Sequence, residues 1–542
     1  MESIQNRDGA SPPRVRITYD MLVGASTESR ELPFVIGVLG DFSADSDSRS
    51  RWPDRKCFPI DKDTFNAVLD TVHPRVKLKI PSSLAGDELD VDLSFRHIDD
   101  FEPRQILRQV EPFRRFQHSQ STDDQEIVRL HLDQILHEPK FQRLESAWRG
   151  LWHLVSRTEP SSQVRIELID VSKEELLRDL HGADESNQSY VFRKLYTERY
   201  GMPGRDPFAL LIGNYTFTTI PEDMELLSKV AAVAAVCHAP FIAAAAPDLV
   251  GVESFAAVSE EGMDVFGRRN FAPFSSSLWE RFRQSGDSLY VGLTIPRILL
   301  RPPYGSGTPI TGEYQYKEDT GGESRMLWGN SAFALGASIT NAFARYGWFG
   351  SIRGMESGLA EGLPTRVLAL GFTPGWEIET SMEVVIGERA EVGLPQLGFI
   401  PLLTNRGTGQ AVVFSVPSCH SPMLDGRRDL DTNRMIWRQI TYILTASRFM
   451  HYLKVIGRDC VSLPSREHLE QLLNSWISQY VLTGNDPSPA IGARCPLKSA
   501  AILVTERPER PGVYLVSAQM CPHFQMEEIS SNGVFHTEIV PR

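Results

Sequence analysis

The side chains with the most chemical potential are three cysteine–histidine pairs: Cys237-His238, Cys419-His420, and Cys521 with His523 two places on. A thiolate beside an imidazole can be a nucleophile with its base, or half of a metal site. Adjacent residues on a strand point to opposite faces, however, and no second half-site stands nearby. The pairs therefore read as structural, with no metal site expected. Gly37 and Gly40, after the apolar run Phe34–Leu39, look like half of a dinucleotide-binding turn, but no third glycine follows and no helix opens there. Gly305-Ser306-Gly307 lacks the lysine and the following helix that an anion cradle needs. The patterns GxxxxGK[ST], GxSxG and HExxH are absent from the sequence. The expectation is no catalytic residue, no cofactor and no enzyme activity; an α/β enzyme built on residues 164–246 is the remote alternative. Trp148 with Trp152, and Tyr346 with Trp348, lie on apolar faces and read as core rather than as stacking platforms. Glu260-Glu261 and the loop 425–431 read as solvated.

Composition narrows the partners. Among 542 residues, Lys+Arg 56 against Asp+Glu 69 leaves a net charge of −13. That balance opposes a whole-chain nucleic-acid footprint. Six cysteines without a CxxC pair suggest free thiols in a reducing compartment. The opening MESIQNRDGASPPR has no apolar stretch of a secretory signal, and Val230–Ala246, the most apolar window, is too short to span a bilayer. A cytoplasmic protein of several domains, without membrane insertion, is expected.

These side chains need elements to position them. Arg14–Met21 alternates, with Val15, Ile17 and Tyr19 on one face, and reads as a strand. Phe34–Leu39 reads as a strand buried on both faces. Asp61–Val72 reads as a helix, 76–80 and 89–95 as paired strands, and 103–115 as a short helix, so that residues 1–115 form a compact α+β unit. A polar junction, 117–125, leads to a helix over 124–156 broken at Pro139. Strands and helices alternate across 164–246, with Ser172 and Glu175 as a capping box. Long helices are expected at 326–346, 433–458 and 467–480, and further strand or edge segments at 365–370 and 383–390. The chain closes in strands at 500–506, 512–520 and 534–540. Strands at both termini expose unpaired main-chain groups and could pair with another chain.

Several segments resemble a known family. RVRITYD, ELPFVIGVLGDFS, DRKCFPIDKDTFNAVLDTVHPRVKLKIP and DDFEPRQILRQVEPFRRF are similar to the small sheath subunit of bacterial type VI secretion systems, TssB. FQRLESAWRGLWHLV, VSKEELLRDL, APFIAAAAP, YVGLTIPRILLRPPYG, LWGNSAFALGASITNAFARYGW, ILTASRFMHYLKVIGRD and PHFQMEEI are similar to the large subunit, TssC. Both appear in family order in one polypeptide. The division expected is 1–116 TssB-like, 117–131 junction, 132–498 TssC-like core and 499–542 a C-terminal β segment. The resemblance implies a mixed α+β and α/β contractile-sheath fold, polymerised around a tube of the protein Hcp and docked to baseplate proteins at a membrane-anchored complex. It further implies strand exchange between protomers, with Val15, Ile17 and Tyr19 on the donated strand and Val513, Leu515 and Ser517 in the acceptor sheet. A non-contractile or accessory scaffold of the same system is the alternative. The short junction leaves little room for the helix that the ATPase ClpV recognises in large subunits, so ClpV is not an expected partner.

Overall fold

The computed structural model describes residues 14–23, 26–81, 88–114, 121–161, 163–183, 186–202, 204–255, 277–305, 316–321, 325–349, 352, 354, 358–369, 377–422, 434–459, 465–482, 496–507, 513–522 and 533–539. The N-terminal segment opens as a hairpin, β1 (Thr18–Val23) antiparallel to β2 (Ser26–Glu31). The next strand, β3 (Phe34–Gly40), is buried at every position, as expected of an apolar run with no polar face. It lies between β7 (Val164–Asp170) and β8 (Phe208–Phe217), parallel to both, with Ile36 beside Ile166 and Leu210. The remaining members are β4 (Phe58–Ile60), β9 (Phe241–Ala245), β10 (Val291–Ile295) and β16 (Phe399–Pro401), in the order β16-β10-β9-β8-β3-β7-β4. Residues 1–115 are thus not a compact unit of their own. Their apolar strand is an inner strand of a sheet supplied mostly by the rest of the chain.

Helices cover both faces of this sheet. Leu211 and Ile212 are neighbours on β8 and point to opposite sides. Ile212 meets α7 (Ala332–Tyr346), where a Cβ on Gly336 would fall 2.5 Å from its side chain. On the other side, Leu211 shares a small gap with Leu176 and Leu180 of α5 (Lys173–His181) and Val230 of α6 (Pro221–Cys237). The capping box is present: Glu175 N–H donates to Ser172 Oγ at 3.1 Å and Ser172 N–H donates to Glu175 Oε2 at 3.0 Å.

α4 (Pro139–Arg157) packs on α7, with the Phe333 ring against Gly150. α1 (Phe65–Val72) packs on it, Phe65 lying edge-on to Trp148 and Trp152, and α2 (Pro103–Gln109) buries Ile106 and Leu107. The break at Pro139 separates α4 from α3 (Thr122–Leu136). β5 (Arg75–Pro81) and β6 (Glu88–Ser94) pair as expected, burying Val76, Leu78 and Ile80 against Leu93, Val91 and Leu89. Small sheets join β11 (Ile298–Arg301) to β12 (Leu327–Gly329), β14 (Arg366–Ala369) to β15 (Glu377–Thr380), and β18 (Ala411–Val412) to β13 (Leu359–Ala360) and β17 (Leu403–Thr404).

Two further expectations are corrected. The helix expected from Met326 starts six residues later, because Leu327–Gly329 is drawn into pairing with β11. The segment 383–390 is irregular and then helical rather than a strand.

A second hydrophobic core forms at the chain ends. It unites α8 (Ile440–Asp459), α9 (Arg466–Ser478) and the antiparallel sheet β19 (Leu497–Glu506), β20 (Tyr514–Pro522) and β21 (Gly533–Ile539) with Val15, Ile17, Tyr19 and Leu32 from the N-terminal segment.

Candidate assembly interface

In open α/β sheets, ligands bind beyond the carboxyl ends of the strands where the winding reverses. Here the reversal lies at β3, with β7 on one side and β8 on the other. The chain's own residues occupy its end. Asp170 accepts hydrogen bonds from the Phe42 and Ser43 N–H groups at 2.8 and 3.2 Å, and from Ser43 Oγ at 2.7 Å. The Trp148 indole donates to the Phe42 carbonyl at 2.9 Å, and Asn330 Nδ2 donates to the Gly213 and Tyr215 carbonyls on β8. Arg55 and Arg49 close over the acidic pair: their bonds to Glu175 outweigh the cost of its partial burial and hold the carboxyl at about 2.

The first two cysteine–histidine pairs sit in packing roles. Burial pushes the Cys237 and Cys419 thiols up to about 12, far from the thiolate range. His238 takes the left-handed position that ends α6, with φ 52°, and His420 Nδ1 lies 3.1 Å from Ser288 Oγ. Cys460, Cys495, His523, Ser306, Gly307, Glu260, Glu261 and loop 425–431 lie outside the described residues. Among the described residues, no group of three His, Cys, Asp or Glu side chains is arranged to hold a metal ion. No helix among them is long and apolar enough to cross a membrane.

The terminal segments are built differently. Val15, Ile17 and Tyr19 are all buried, their alternation placing one apolar face on α8 and α9. Each such side chain contributes about 1.5–3 kcal/mol by leaving water. Main-chain groups are held as well. Val15 N–H donates to the Tyr346 carbonyl at 2.8 Å. Thr18 N–H donates to Tyr480 Oη at 3.0 Å, and its carbonyl accepts from Trp476 Nε1 at 2.8 Å. Leu32 N–H donates to Tyr452 Oη at 2.8 Å, and that hydroxyl donates to the Ile17 carbonyl. Arg448 donates to the carbonyls of Leu32 and Pro33.

Val513, Leu515 and Ser517 fall on or beside the middle strand of the C-terminal sheet. Leu515 is paired with Thr505 on β19 and Glu538 on β21; Ser517 is paired with Leu503 and His536. Their main-chain groups are engaged within the sheet, and its two outer edges belong to β19 and β21. Val516, Ala518 and Met520 face the helices, whereas Leu503 (55% exposed) and Val534 (46% exposed) stand on the outer face. The partner strand β2 was missed by sequence reasoning, since STESRE has no apolar alternation. Helix α9 was expected, at 467–480, but not that its polar side chains Arg466, Glu470 and Asn474 reach β19.

Three family models fit the chain in succession. The type VI secretion system VipA model matches residues 7–125. The VipB (EvpB) tail sheath N-terminal domain matches 122–420, more than half of the chain, and the VipB tail sheath gpW/gp25-like domain matches 429–539. The chain belongs to the type VI secretion sheath family. It is a TssB–TssC fusion, and a subunit of a contractile sheath. The TssC1 sheath protein of Pseudomonas aeruginosa is 36% identical over 407 residues, covering 73% of this chain and 80% of that protein. The TssB1 sheath protein of the same organism is 37% identical over 101 residues, covering 18% of this chain and 59% of that protein. The fused chain therefore spans about three-fifths of its small-subunit relative. These relatives are structural sheath proteins rather than enzymes. A cryo-EM structure of the anti-feeding prophage baseplate is matched over 100% of this chain and 96% of that chain, at 11% identity and a TM-score of 0.35, a likeness that carries no argument here. In the fused sheath chain the first two family matches meet at 122–125, in the first turn of α3.

Proposed function

We propose that this chain polymerises, one copy per protomer, into a sheath around an Hcp tube, and that contraction of the polymer drives the tube outward from a membrane-docked baseplate. Neighbouring protomers are linked by strand exchange between the N-terminal segment of one copy and the C-terminal sheet of another. The observation carrying this reading is the second core, in which both ends of the chain meet and present hydrogen-bonding strand edges. Main-chain pairing would supply affinity, and alternating side chains the register. Work would come from energy stored in the extended polymer, so no nucleotide site is required of this chain. The short polar junction at 117–125 supports a sheath that assembles without the helix ClpV recognises.

Negative-stain electron microscopy of the purified chain with Hcp tests the assembly. Tubes are expected; discrete particles of uniform size under all conditions would overturn it. Titration with the ClpV N-terminal domain, with an ordinary large sheath subunit as positive control, tests the missing handle. Binding of the two proteins with equal affinity would remove that part of the reading.

A further inference from the structure

The sheath N-terminal domain and the gpW/gp25-like domain meet along α8. The first contains α6 and the segment 190–200, and the second contains α8. Lys454 crosses from one to the other. Its side chain is buried, and Nζ donates to the Val236 carbonyl at 2.9 Å and to Tyr196 Oη at 3.3 Å. The same nitrogen lies 4.4 Å from the centre of the Tyr196 ring and 4.8 Å from that of Tyr200. One turn earlier on α8, His451 Nε2 donates to the Cys237 carbonyl at 3.2 Å. Two side chains of α8 therefore close the carbonyl end of α6, where a helix leaves its last acceptors unmatched.

A helix C-terminus and tyrosine faces both favour a charged amine. Burial opposes it. The ionisable groups around this seam come from five elements: Cys237 and His238 at the end of α6, Tyr196 and Tyr200 in 190–200, Tyr290 in 286–290, Arg448, His451 and Arg458 on α8, and Glu538 on β21. Glu538 is the one carboxylate among them, and Arg507 binds it at 2.5 Å. Burial therefore prevails and lowers Lys454 to about 7. It lowers His238 and takes His451 to about 3, raises Cys237 and Tyr196 to about 12, and raises Tyr200 and Tyr290 as well. Of these shifted groups, Lys454 alone changes charge between pH 7 and its ordinary value of 10.5. Opening the seam returns the amine to water. In that interval the open form binds a proton that the closed form does not, so each unit of falling pH favours opening by up to about tenfold. Below about 7 both forms are charged and the dependence ends.

We propose that Lys454 is a proton-operated clasp between the two domains: the seam of α8 on α6 is tightest with a neutral amine and opens more readily once the amine is charged. This does not depend on strand exchange.

Two buried thiols supply the test. Cys237, at the carbonyl end of α6, reports opening of the seam, and Cys419, against Val291 and Arg283, reports opening elsewhere. The full chain is pulse-labelled with iodoacetamide between pH 7 and 9.5, and the peptides carrying each cysteine are quantified by mass spectrometry. Labelling of the same peptides free in solution removes the pH dependence of the thiols themselves. The ratio of Cys237 to Cys419 labelling is expected to rise roughly tenfold or more from pH 9.5 to 7.5, and to stay level in Lys454→Met. A level ratio in the unsubstituted chain would overturn the proposal by itself, whether or not the variant folds. An equal rise in folded Lys454→Met would also overturn it, by assigning the opening to another group. Lys454→Gln, which keeps a donor for the Val236 carbonyl, provides the same comparison should the methionine variant not fold.

Discussion

Tyr452 concentrates the attachment of the N-terminal segment in one hydroxyl, which accepts from Leu32 N–H at 2.8 Å and donates to the Ile17 carbonyl. Tyr452→Phe leaves a buried donor and a buried acceptor unmatched, which costs about 1–3 kcal/mol. The expected outcome is faster hydrogen exchange at the Leu32 amide and in β1–β2, with β3 unchanged; equal exchange throughout would contradict this role. Glu318 presents a second residue-scale case. Burial would raise its pKa, but His137 and Arg301, with the Tyr304 amide, hold it at about 2. Arg301 Nε also donates to Glu145 Oε1 at 2.9 Å, and Arg149 Nε donates to the same oxygen at 2.7 Å, so α4 and β11 share the network. A depressed folded-state pKa stabilises the chain above the ordinary carboxylate value and loses that stability as pH falls towards 2. The contribution is on the order of 3 kcal/mol. Urea titrations between pH 7 and 3 should show a declining arm below about pH 4.5, and Glu318→Gln should make it shallower, with Glu175 still contributing. An identical arm in both proteins would assign the acid sensitivity elsewhere.

Packing between elements depends on a few missing side chains. Gly457 lets α8 approach Ile539 of β21, and Gly457→Ala would push a methyl group into that side chain. Overpacking of this kind costs about 1–3 kcal/mol. We expect the variant to keep its main sheet, to release the C-terminal strand more readily to limited proteolysis, and to form fewer tubes. Unchanged proteolysis would mean that β21 adjusts without cost. The same scale shows what could be read from residues alone. β3 was legible because seven consecutive buried positions leave an uninterrupted apolar run, and α5 because Ser172 and Glu175 form a capping box. β2 was not, because STESRE pairs through its main chain while its side chains stay polar. The stripe Arg466, Glu470 and Asn474 resembles any solvated helix face, since periodicity carries no information about which carbonyls a polar side chain reaches. The N-terminal strand was recognised by its alternation. That its apolar face docks on α8 and α9 of the same chain follows only from contacts across more than four hundred residues of sequence.

At the scale of the molecule, the fused halves share one sheet. β3 lies between β7 and β8, so severing the chain between α2 and α3 should yield two fragments that co-purify at one-to-one stoichiometry when produced together. The larger fragment alone lacks an inner strand of its sheet and exposes the apolar sides of β7 and β8. It is expected to aggregate, read by light scattering and size exclusion. A soluble, monodisperse large fragment with native circular dichroism would show that the sheet closes without β3.

That insertion also bears on synthesis. The ribosome delivers β3 before either of its neighbours, and about 120 residues separate it from β7. At roughly 5–20 residues per second, the nascent chain carries an all-apolar strand without its sheet partners for about 6–24 seconds. Long-range pairing of this kind is slow to form and leaves apolar surface available to other nascent chains. Elongation rate and early chaperone capture therefore bear directly on how much of this chain reaches its folded state.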